Sequence, residues 1–303
     1  MIAYDLTDIA KTAAHKMEKL ARVHDGSEHS ISNGYLIHGV GINNILVRFE
    51  VHDGEVETTN QVRKRIIQEL ADQLKHKGIW VFDRGNDDKQ FYIDLRQTLK
   101  AQFICRVREN RHVVLKETGE YLPVKNVPPG KYRVYLLDNH NRRVDIRYEY
   151  LLVVSNHLED KEPIRLLSNL EFEQYTEKEL ITMYLERWGV ENLFKRVKTK
   201  FDLEKIRVLS YTRFVNLVAL IQLAVIVSTI TFRKIQQITN ALITGVLLCY
   251  KQFLKMKHLS FCIDSFITYM KSALEPLICR IPKPPHNQLT IFSKRQLGKL
   301  GPF

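Results

Sequence analysis

The chain has 303 residues, of which 45% are hydrophobic and 26% charged, so its composition is that of a globular protein with a sizeable core. No two of the four cysteines are spaced as C-x2-C, which excludes the common zinc motifs and indicates a reducing, intracellular setting. The formal net charge of +12 favours a polyanionic partner, nucleic acid or an anionic membrane surface, over a neutral one.

The first part of the chain predicts three strands, followed by helices alternating with further strands. The "INN" at 42–44 joins two apolar runs and predicts an antiparallel hairpin. The predicted strands are 1–9, 34–41, 45–51, 79–83 and 101–108, and the predicted helices are 58–78 and 87–100. This order predicts an α/β fold with a mixed sheet covered by helices.

Two polar or turn-rich regions interrupt this pattern. Residues 15–30, "HKMEKLARVHDGSEHS", contain His15, His24 and His29; the spacing matches no standard metal motif, so a solvated loop is favoured over a zinc site. Residues 109–170 contain strand-like runs broken by turn residues and predict a β-rich insertion. We therefore expect 1–108 and 171–235 to form one core around the insertion 109–170, with a helical region and a basic, Pro-containing tail at 236–303.

A helix carries the most informative motif of the chain. "TEKE" at 176–179 is a capping box that predicts the helix start, and "YLERWGVENLFKRVK" at 184–198 predicts its continuation as one helix. At 3.6 residues per turn, Tyr184, Arg187, Glu191 and Lys198 fall on one face. A phenol, a guanidinium, a carboxylate and an ammonium are thereby stacked along the helix.

One segment has the length of a membrane span. "FVNLVALIQLAVIVSTITF" at 214–232 contains no charged residue, but Asn216, Gln222 and Ser228 interrupt it. A helix that is apolar all round can also be the buried centre of a large domain. We favour the buried helix and expect no membrane association; a membrane span is the alternative.

Three acidic residues are candidates for a metal site. Asp5 lies within the first predicted strand and Asp83 ends the fourth, where a carboxylate is costly without a cationic partner. If these strands are neighbours, a helix across their edge can add Glu191. Three converging carboxylates repel one another, and Mg²⁺ or Mn²⁺ relieves that repulsion. The alternatives are an ordinary helix ion pair of Glu191 with Arg187 or Lys195, and Asp8 in place of Asp5 as first acid.

These residues carry a resemblance to a known family. The Tyr-x2-Arg-x3-Glu-x6-Lys signature of the bacterial insertion-sequence family four matches at all four positions. "YDLTDIAK" and "VFDRG" resemble the segments that hold the first and second acids of that family. The chain therefore resembles DDE transposases, which have an RNase H-like fold of the retroviral-integrase superfamily, and the resemblance covers residues 1 to about 235.

The resemblance implies roles for the site residues. Asp5, Asp83 and Glu191 would be the catalytic acids and hold two Mg²⁺ or Mn²⁺ ions for cleavage and strand transfer of DNA. The DNA-phosphate ligands would be Tyr184, Arg187 and Lys198, extended by Lys195 and Arg196, which suits Arg and Lys chemistry. Trp188 would either stack on a base or pack in the core, and we favour packing.

The resemblance also implies partners and a location. The partner would be double-stranded DNA, both the transposon ends and the target. The protein would act as a homodimer in the DNA complex. Its location would be the cytoplasm, at the nucleoid. Family members usually carry a DNA-recognition region before the first acid, which here is residue 5. The alternative function is therefore a truncated, catalytically impaired remnant that binds DNA or dimerises.

Overall fold

The computed structural model describes residues 1–249 except 13, 15, 26–29, 138–142 and 157–162, with side chains up to residue 237. The chain divides into two compact units, Met1–Val227 and Ser228–Phe303. All the strands among the described residues, and the whole candidate site, belong to the first unit.

The first unit alternates strands and helices and then becomes helical. Its strands are β1 (Ile2–Ala10), β2 (Ala21–Asp25), β3 (Ser30–Ile42), β4 (Ile45–Val51), β5 (Ile79–Phe82), β6 (Gln102–Arg106), β7 (His112–Leu115), β8 (Tyr121–Pro123), β9 (Gly130–Leu137), β10 (Val144–Ser155) and β11 (Ile164–Ser168). The helices are α1 (Thr59–Gln73), α2 (Lys89–Gln97), α3 (Glu177–Leu185), α4 (Trp188–Lys200) and α5 (Tyr211–Cys249), the last of which continues into the second unit.

The strands form one mixed sheet in the order β2-β3-β1-β5-β6-β11-β10-β9-β7-β8, with β4 paired to β3. At its centre β1, β5 and β6 run parallel, while β3 and β11 flank them antiparallel. Helices α1 and α2 cover one face around Ile66 and Phe91. Helices α3, α4 and the start of α5 cover the other face around Tyr184, Val190 and Phe214. The predicted α/β mixed sheet with flanking helices is confirmed.

Several local predictions are confirmed by the backbone. Asn43 and Asn44 have φ values of 49° and 60°, which fits the tight turn of the predicted β3–β4 hairpin. Thr58 caps α1 and Thr176 caps α3, each in a capping box with the residue three positions later. Asp88 caps α2 by accepting a hydrogen bond from the Phe91 amide.

One prediction made from local pattern is wrong in part, and the structure adds to another. Residues 21–25 of the predicted loop form β2, because they pair antiparallel with residues 30–34 of β3; His15 and His29 lie outside the described residues. Residues 109–170 contain strands as expected, and these strands continue the central sheet, since β11 pairs with β6. Both elements depend on partners that are distant in sequence, which local periodicity does not reveal.

Helix α5 is buried on one face of its first half. Phe214, Val218, Ile221 and Val225 pack in the core, while the described side chains of Leu220, Leu223 and Val227 are 63%, 57% and 54% exposed. The prediction of a helix buried all round is therefore wrong for the second face. Residues Tyr211–Gln237 are long and apolar enough to cross a membrane, and 28% of their most apolar window is buried. No other helix among the described residues passes that test of length and composition.

Candidate active site

The candidate site begins with a row of charged residues at the carboxyl ends of the parallel strands. Ala3 of β1 pairs with Val81 of β5, and Val81 pairs with Ile104 of β6. Because side chains alternate along a strand, the residues two positions further share that face and level. The row that follows is Asp5, Asp83 and Arg106. Backbone pairing thus places Asp5 and Asp83 side by side, as expected if their strands are neighbours.

The signature residues come from two helices, not one. Helix α3 ends at Leu185 and α4 begins at Trp188, so the prediction of a single helix over 184–198 is wrong. Between them the amides of Arg187 and Gly189 bond to carbonyls three residues earlier, as in a 3₁₀ turn. This tighter turn keeps the helical sense, so Tyr184, Arg187 and Glu191 still face the same strands.

Arg187 connects all three acids. Its Nη1 donates to Asp5 Oδ2 at 3.0 Å, and its Nη2 lies 2.7 Å from Glu191 Oε1 and 3.7 Å from Asp83 Oδ1. The Arg187 side chain is only 4% exposed, whereas those of Asp83 and Glu191 are 41% and 46% exposed. The three acids therefore share contacts with one buried guanidinium. The alternative ion pair of Glu191 with Arg187 is present as one of these contacts.

The cluster changes the acid–base properties of its members. Burial raises the pKa of Asp5 to about 6; Arg187 opposes this shift, and Glu191 and Asp83 add to it. Burial also raises the pKa of Tyr184, whose hydroxyl donates to Asp83 Oδ1 at 3.3 Å. For Arg187 burial acts against the charge, yet Tyr184 and the three carboxylates raise its pKa. Asp5 is thus more easily protonated in the folded protein than an ordinary aspartate.

A cleft of about 630 Å³ opens beside the cluster. Asp5, Thr7 and Glu191 line it together with Lys195, Lys198 and Lys205. Of the predicted phosphate ligands, Lys195 and Lys198 therefore share the cleft with two of the acids. Arg196 is half-buried and lies elsewhere on α4.

Helix α4 lies unusually close to β3. An added Cβ on Gly39 would overlap the Phe194 ring, and one on Gly41 would overlap the side chain of Val190. Gly39 pairs directly with Asp5 across the sheet. The missing side chains on β3 therefore let α4 approach far enough for Glu191 to reach the acids of β1 and β5.

The structure places the remaining candidates as follows. Arg187 and Tyr184 are buried against carboxylates, so their expected phosphate role stays a prediction that needs Arg187 to change partners. Trp188 is 45% exposed, which contradicts the expectation that it packs in the core. Asp8 lies further along β1 and interacts with Lys198 and the backbone of His24, so it is not part of the cluster.

Sequence reasoning missed Arg106. It lies half-buried at the end of β6, level with Asp83, and its side chain opposes the rise that burial causes in the pKa of Tyr184. The run "AQFICRVR" did predict a strand, and a cation at its carboxyl end next to an acid-bearing strand was the available signal.

The donor chemistry of the cluster fits a divalent cation. Carboxylate oxygens are the ligands that Mg²⁺ and Mn²⁺ prefer, and three negative groups surround a single guanidinium. Among the described residues, however, no group of three His, Cys, Asp or Glu side chains is spaced to hold an ion. Arg187 fills the space on which the acids converge.

Comparison with known proteins decides the family. The family model "Transposase DDE domain" matches residues 12–227, well over half of the chain. The chain belongs to the DDE transposase-domain family. The matched region includes Asp83, Arg187 and Glu191, and it begins after Asp5.

The fold of this DDE domain resembles that of a solved transposase. The chain matches the piggyBac transposase in its synaptic complex with hairpin DNA, determined by cryo-electron microscopy, at a TM-score of 0.50 and 12% identity. The match covers 95% of this chain and 55% of that chain, so this chain spans about half the length of that transposase. At this identity the likeness shows the RNase H-like fold alone. No curated protein matches the sequence.

Proposed function

We propose that this DDE domain cleaves DNA phosphodiesters and transfers DNA strands, as the transposase of an insertion sequence of family four. One observation carries the proposal: Asp5, Asp83 and Glu191 come from three separate elements and meet at one guanidinium beside a lysine-lined cleft. Carboxylates that meet at one guanidinium repel one another, so their presence here favours a chemical role over a structural one.

In this proposal the three acids hold Mg²⁺ or Mn²⁺. A bound divalent ion would supply an activated oxygen nucleophile and would stabilise the leaving oxygen of a phosphodiester. Lys195 and Lys198 line the same cleft and neutralise DNA phosphates, which positions the backbone next to the acids. The Tyr184 hydroxyl donates to Asp83 and helps to position it.

The test is metal-dependent nicking of supercoiled plasmid DNA by the full chain. We expect nicking with Mn²⁺ or Mg²⁺, and its loss in each of Asp5→Asn, Asp83→Asn and Glu191→Gln. Asp202→Asn is the matched control, because Asp202 is an acid that lines the cleft outside the cluster. Nicking that persists in the three cluster variants, or that is absent from the wild type with both metals, would overturn the proposal.

Binding of the DNA backbone is tested separately. Each phosphate contact contributes about 0.9 to the slope of log K against log salt concentration. Lys195→Ala and Lys198→Ala should each lower that slope by about one contact, while Lys178→Ala, on the exposed surface of α3, should leave it unchanged. Equal slopes in all four proteins would remove the cleft from the DNA-binding surface.

A second candidate function is that of a catalytically impaired remnant that binds DNA or pairs with a relative. The observation that favours it is Arg187, which fills the space between the acids. In that case salt-dependent DNA binding should survive Glu191→Ala, and no metal should induce nicking.

For the active form we also propose a homodimer on DNA, because joining two transposon ends needs two sites. We further propose that it is located at the bacterial nucleoid.

A further inference from the structure

The guanidinium of Arg187 is the positive centre of the candidate site. Its two terminal nitrogens reach three carboxylates, at 3.0 Å for Asp5, 2.7 Å for Glu191 and 3.7 Å for Asp83. A planar fork that contacts two carboxylates is common for arginine. A third carboxylate on the same fork leaves three negative charges sharing one positive charge.

The cluster is therefore undercompensated in charge. It is also incompletely hydrogen-bonded, since the Arg187 Nε is buried and has no hydrogen-bond partner. The buried Nε atoms of Arg63, Arg111 and Arg165 share this feature, so it does not set Arg187 apart. The distinguishing feature of Arg187 is its contact with three carboxylates, whose excess negative charge favours the entry of a further cation.

We propose that Arg187 is a resident counter-cation that competes with divalent metal for the three acids. The inference rests on the proposed function, because it takes Asp5, Asp83 and Glu191 as the metal ligands. Without metal, the guanidinium keeps the three carboxylates together and limits their repulsion. A divalent ion can enter only when Arg187 releases at least one of them. Arg187 is thus a positioning residue that sets the affinity of the site for metal.

The position of Arg187 in the chain supports such an exchange. It lies at the junction of α3 and α4, where the backbone makes 3₁₀-type bonds in place of a continuous α-helical ladder. Glu191 is four residues away on α4, so it can keep its contact with Arg187 while the guanidinium leaves Asp5. The longest of the three contacts, to Asp83, is the weakest and would break first.

The test is Mn²⁺ binding by the full chain, measured by calorimetry without DNA. Arg187→Met removes the charge and retains the length of the side chain. If Arg187 competes with metal, the apparent affinity of the wild type is reduced by the fraction of sites that Arg187 occupies. We therefore expect Arg187→Met to bind Mn²⁺ about ten-fold more tightly than the wild type. Arg213→Met, an exposed arginine of α5, should bind as the wild type does.

If Arg187→Met folds poorly, thermal melting with and without Mn²⁺ provides a second test. Without its guanidinium the cluster is repulsive, so Mn²⁺ should raise the Tm of Arg187→Met more than that of the wild type. Arg187→Lys keeps a charge that cannot span three acids and should bind Mn²⁺ with intermediate affinity.

Two outcomes contradict the inference and are distinguishable. In the first outcome, the wild type binds Mn²⁺ and Asp83→Asn does not, but Arg187→Met and Arg187→Lys bind Mn²⁺ no more tightly than the wild type. This outcome would overturn the competition alone. Absence of Mn²⁺ binding from wild type and Arg187→Met would overturn the metal site itself, and the proposed function with it.

Discussion

Gly39 on β3 pairs with Asp5 on β1 and at the same time lies against the Phe194 ring of α4. One residue without a side chain therefore sets both the spacing of a helix from the sheet and the access of that helix to the first acid. The φ of Gly39 lies outside the left-handed region, so only space requires glycine there.

Gly39→Ala should consequently destabilise the domain and weaken DNA nicking. The new methyl overlaps the Phe194 ring, and overpacking of a core costs about 1–3 kcal/mol. Urea unfolding measures the cost. Gly54→Ala is the control, since its Cβ would meet only ordinary contacts with His52. Combining Gly39→Ala with Phe194→Leu should recover part of the stability; a double variant no better than Gly39→Ala alone would show that the overlap is not the cause.

Lys11 holds the segment that follows α4. Its buried ammonium donates to the carbonyls of Leu203, Glu204 and Ile206, and it lies over the Phe214 ring. Lys11→Met keeps the aliphatic contact but leaves these carbonyls without this donor, and a lost hydrogen bond to a charged group costs about 1.5–3 kcal/mol.

We expect Lys11→Met to lower the free energy of unfolding by at least about 2 kcal/mol, as measured by urea titration. Lys16→Met, at an exposed position nearby, should change it by less than about 0.5 kcal/mol. Similar losses in the two variants would mean that the three carbonyl contacts do not stabilise this segment.

The burial of His38 predicts that the stability of the folded domain depends on pH. It is fully buried between the Tyr4 hydroxyl, at 2.7 Å from its Nδ1, and His52. Burial, with the positive charge of neighbouring groups, lowers the pKa of His38 to about 3 from 6.5. Between these values the unfolded chain binds the proton and the folded chain does not, so stability falls as the pH is lowered through this window.

The measurement is the free energy of unfolding at pH 6.5 and at pH 5. His38 should contribute a loss of about 2 kcal/mol over that interval, because each pH unit within the window is worth about 1.4 kcal/mol. The loss should shrink by that amount in His38→Gln and remain in His112→Gln, which changes an exposed histidine. Equal pH dependence in wild type and His38→Gln would contradict the assignment.

Tyr184→Phe separates the packing of this side chain from its hydrogen bonds. The ring is 2% exposed and packs among Val81 and Ile104, and this contact survives in phenylalanine. The hydrogen bond of the hydroxyl to Asp83 is lost. A single such bond contributes about 0.5–1.5 kcal/mol, so the nicking rate should fall by up to about ten-fold with little change in Tm. Tyr175→Phe is the control, and an unchanged rate in Tyr184→Phe would exclude positioning of Asp83 by the hydroxyl.

The sequence predicts the parts of this fold that depend on local chemistry. The capping box at Thr176 and the Asn43–Asn44 turn need only neighbours within a few residues, and both were predicted. Asp5 and Asp83 became candidates because a carboxylate in a buried strand is costly without a partner, and the resemblance to DDE transposases gave them their expected roles.

The parts that could not be predicted depend on distant partners. β2 forms because β3 offers a free edge, and the strands after β6 join the sheet because β11 pairs with β6. The break between α3 and α4 has no proline or cap to mark it, and Gly189 within the motif was its only local indication. That Arg187 turns inward to the acids follows from the close approach of α4 over Gly39 and Gly41, which no local pattern shows.

The distance along the chain between Asp5 and Arg187 has a consequence for synthesis. The two residues are 182 positions apart, and strands β1 and β5 both precede α4 by a long way. A chain still on the ribosome can therefore pair β1 with β5, and bring Asp5 level with Asp83, long before Arg187 is made. Until then two carboxylates face each other without their guanidinium. The turn between α3 and α4 that neutralises the first pair of acids is thus made after all the described strands, and we expect the centre of the sheet to gain its full stability only at that late step.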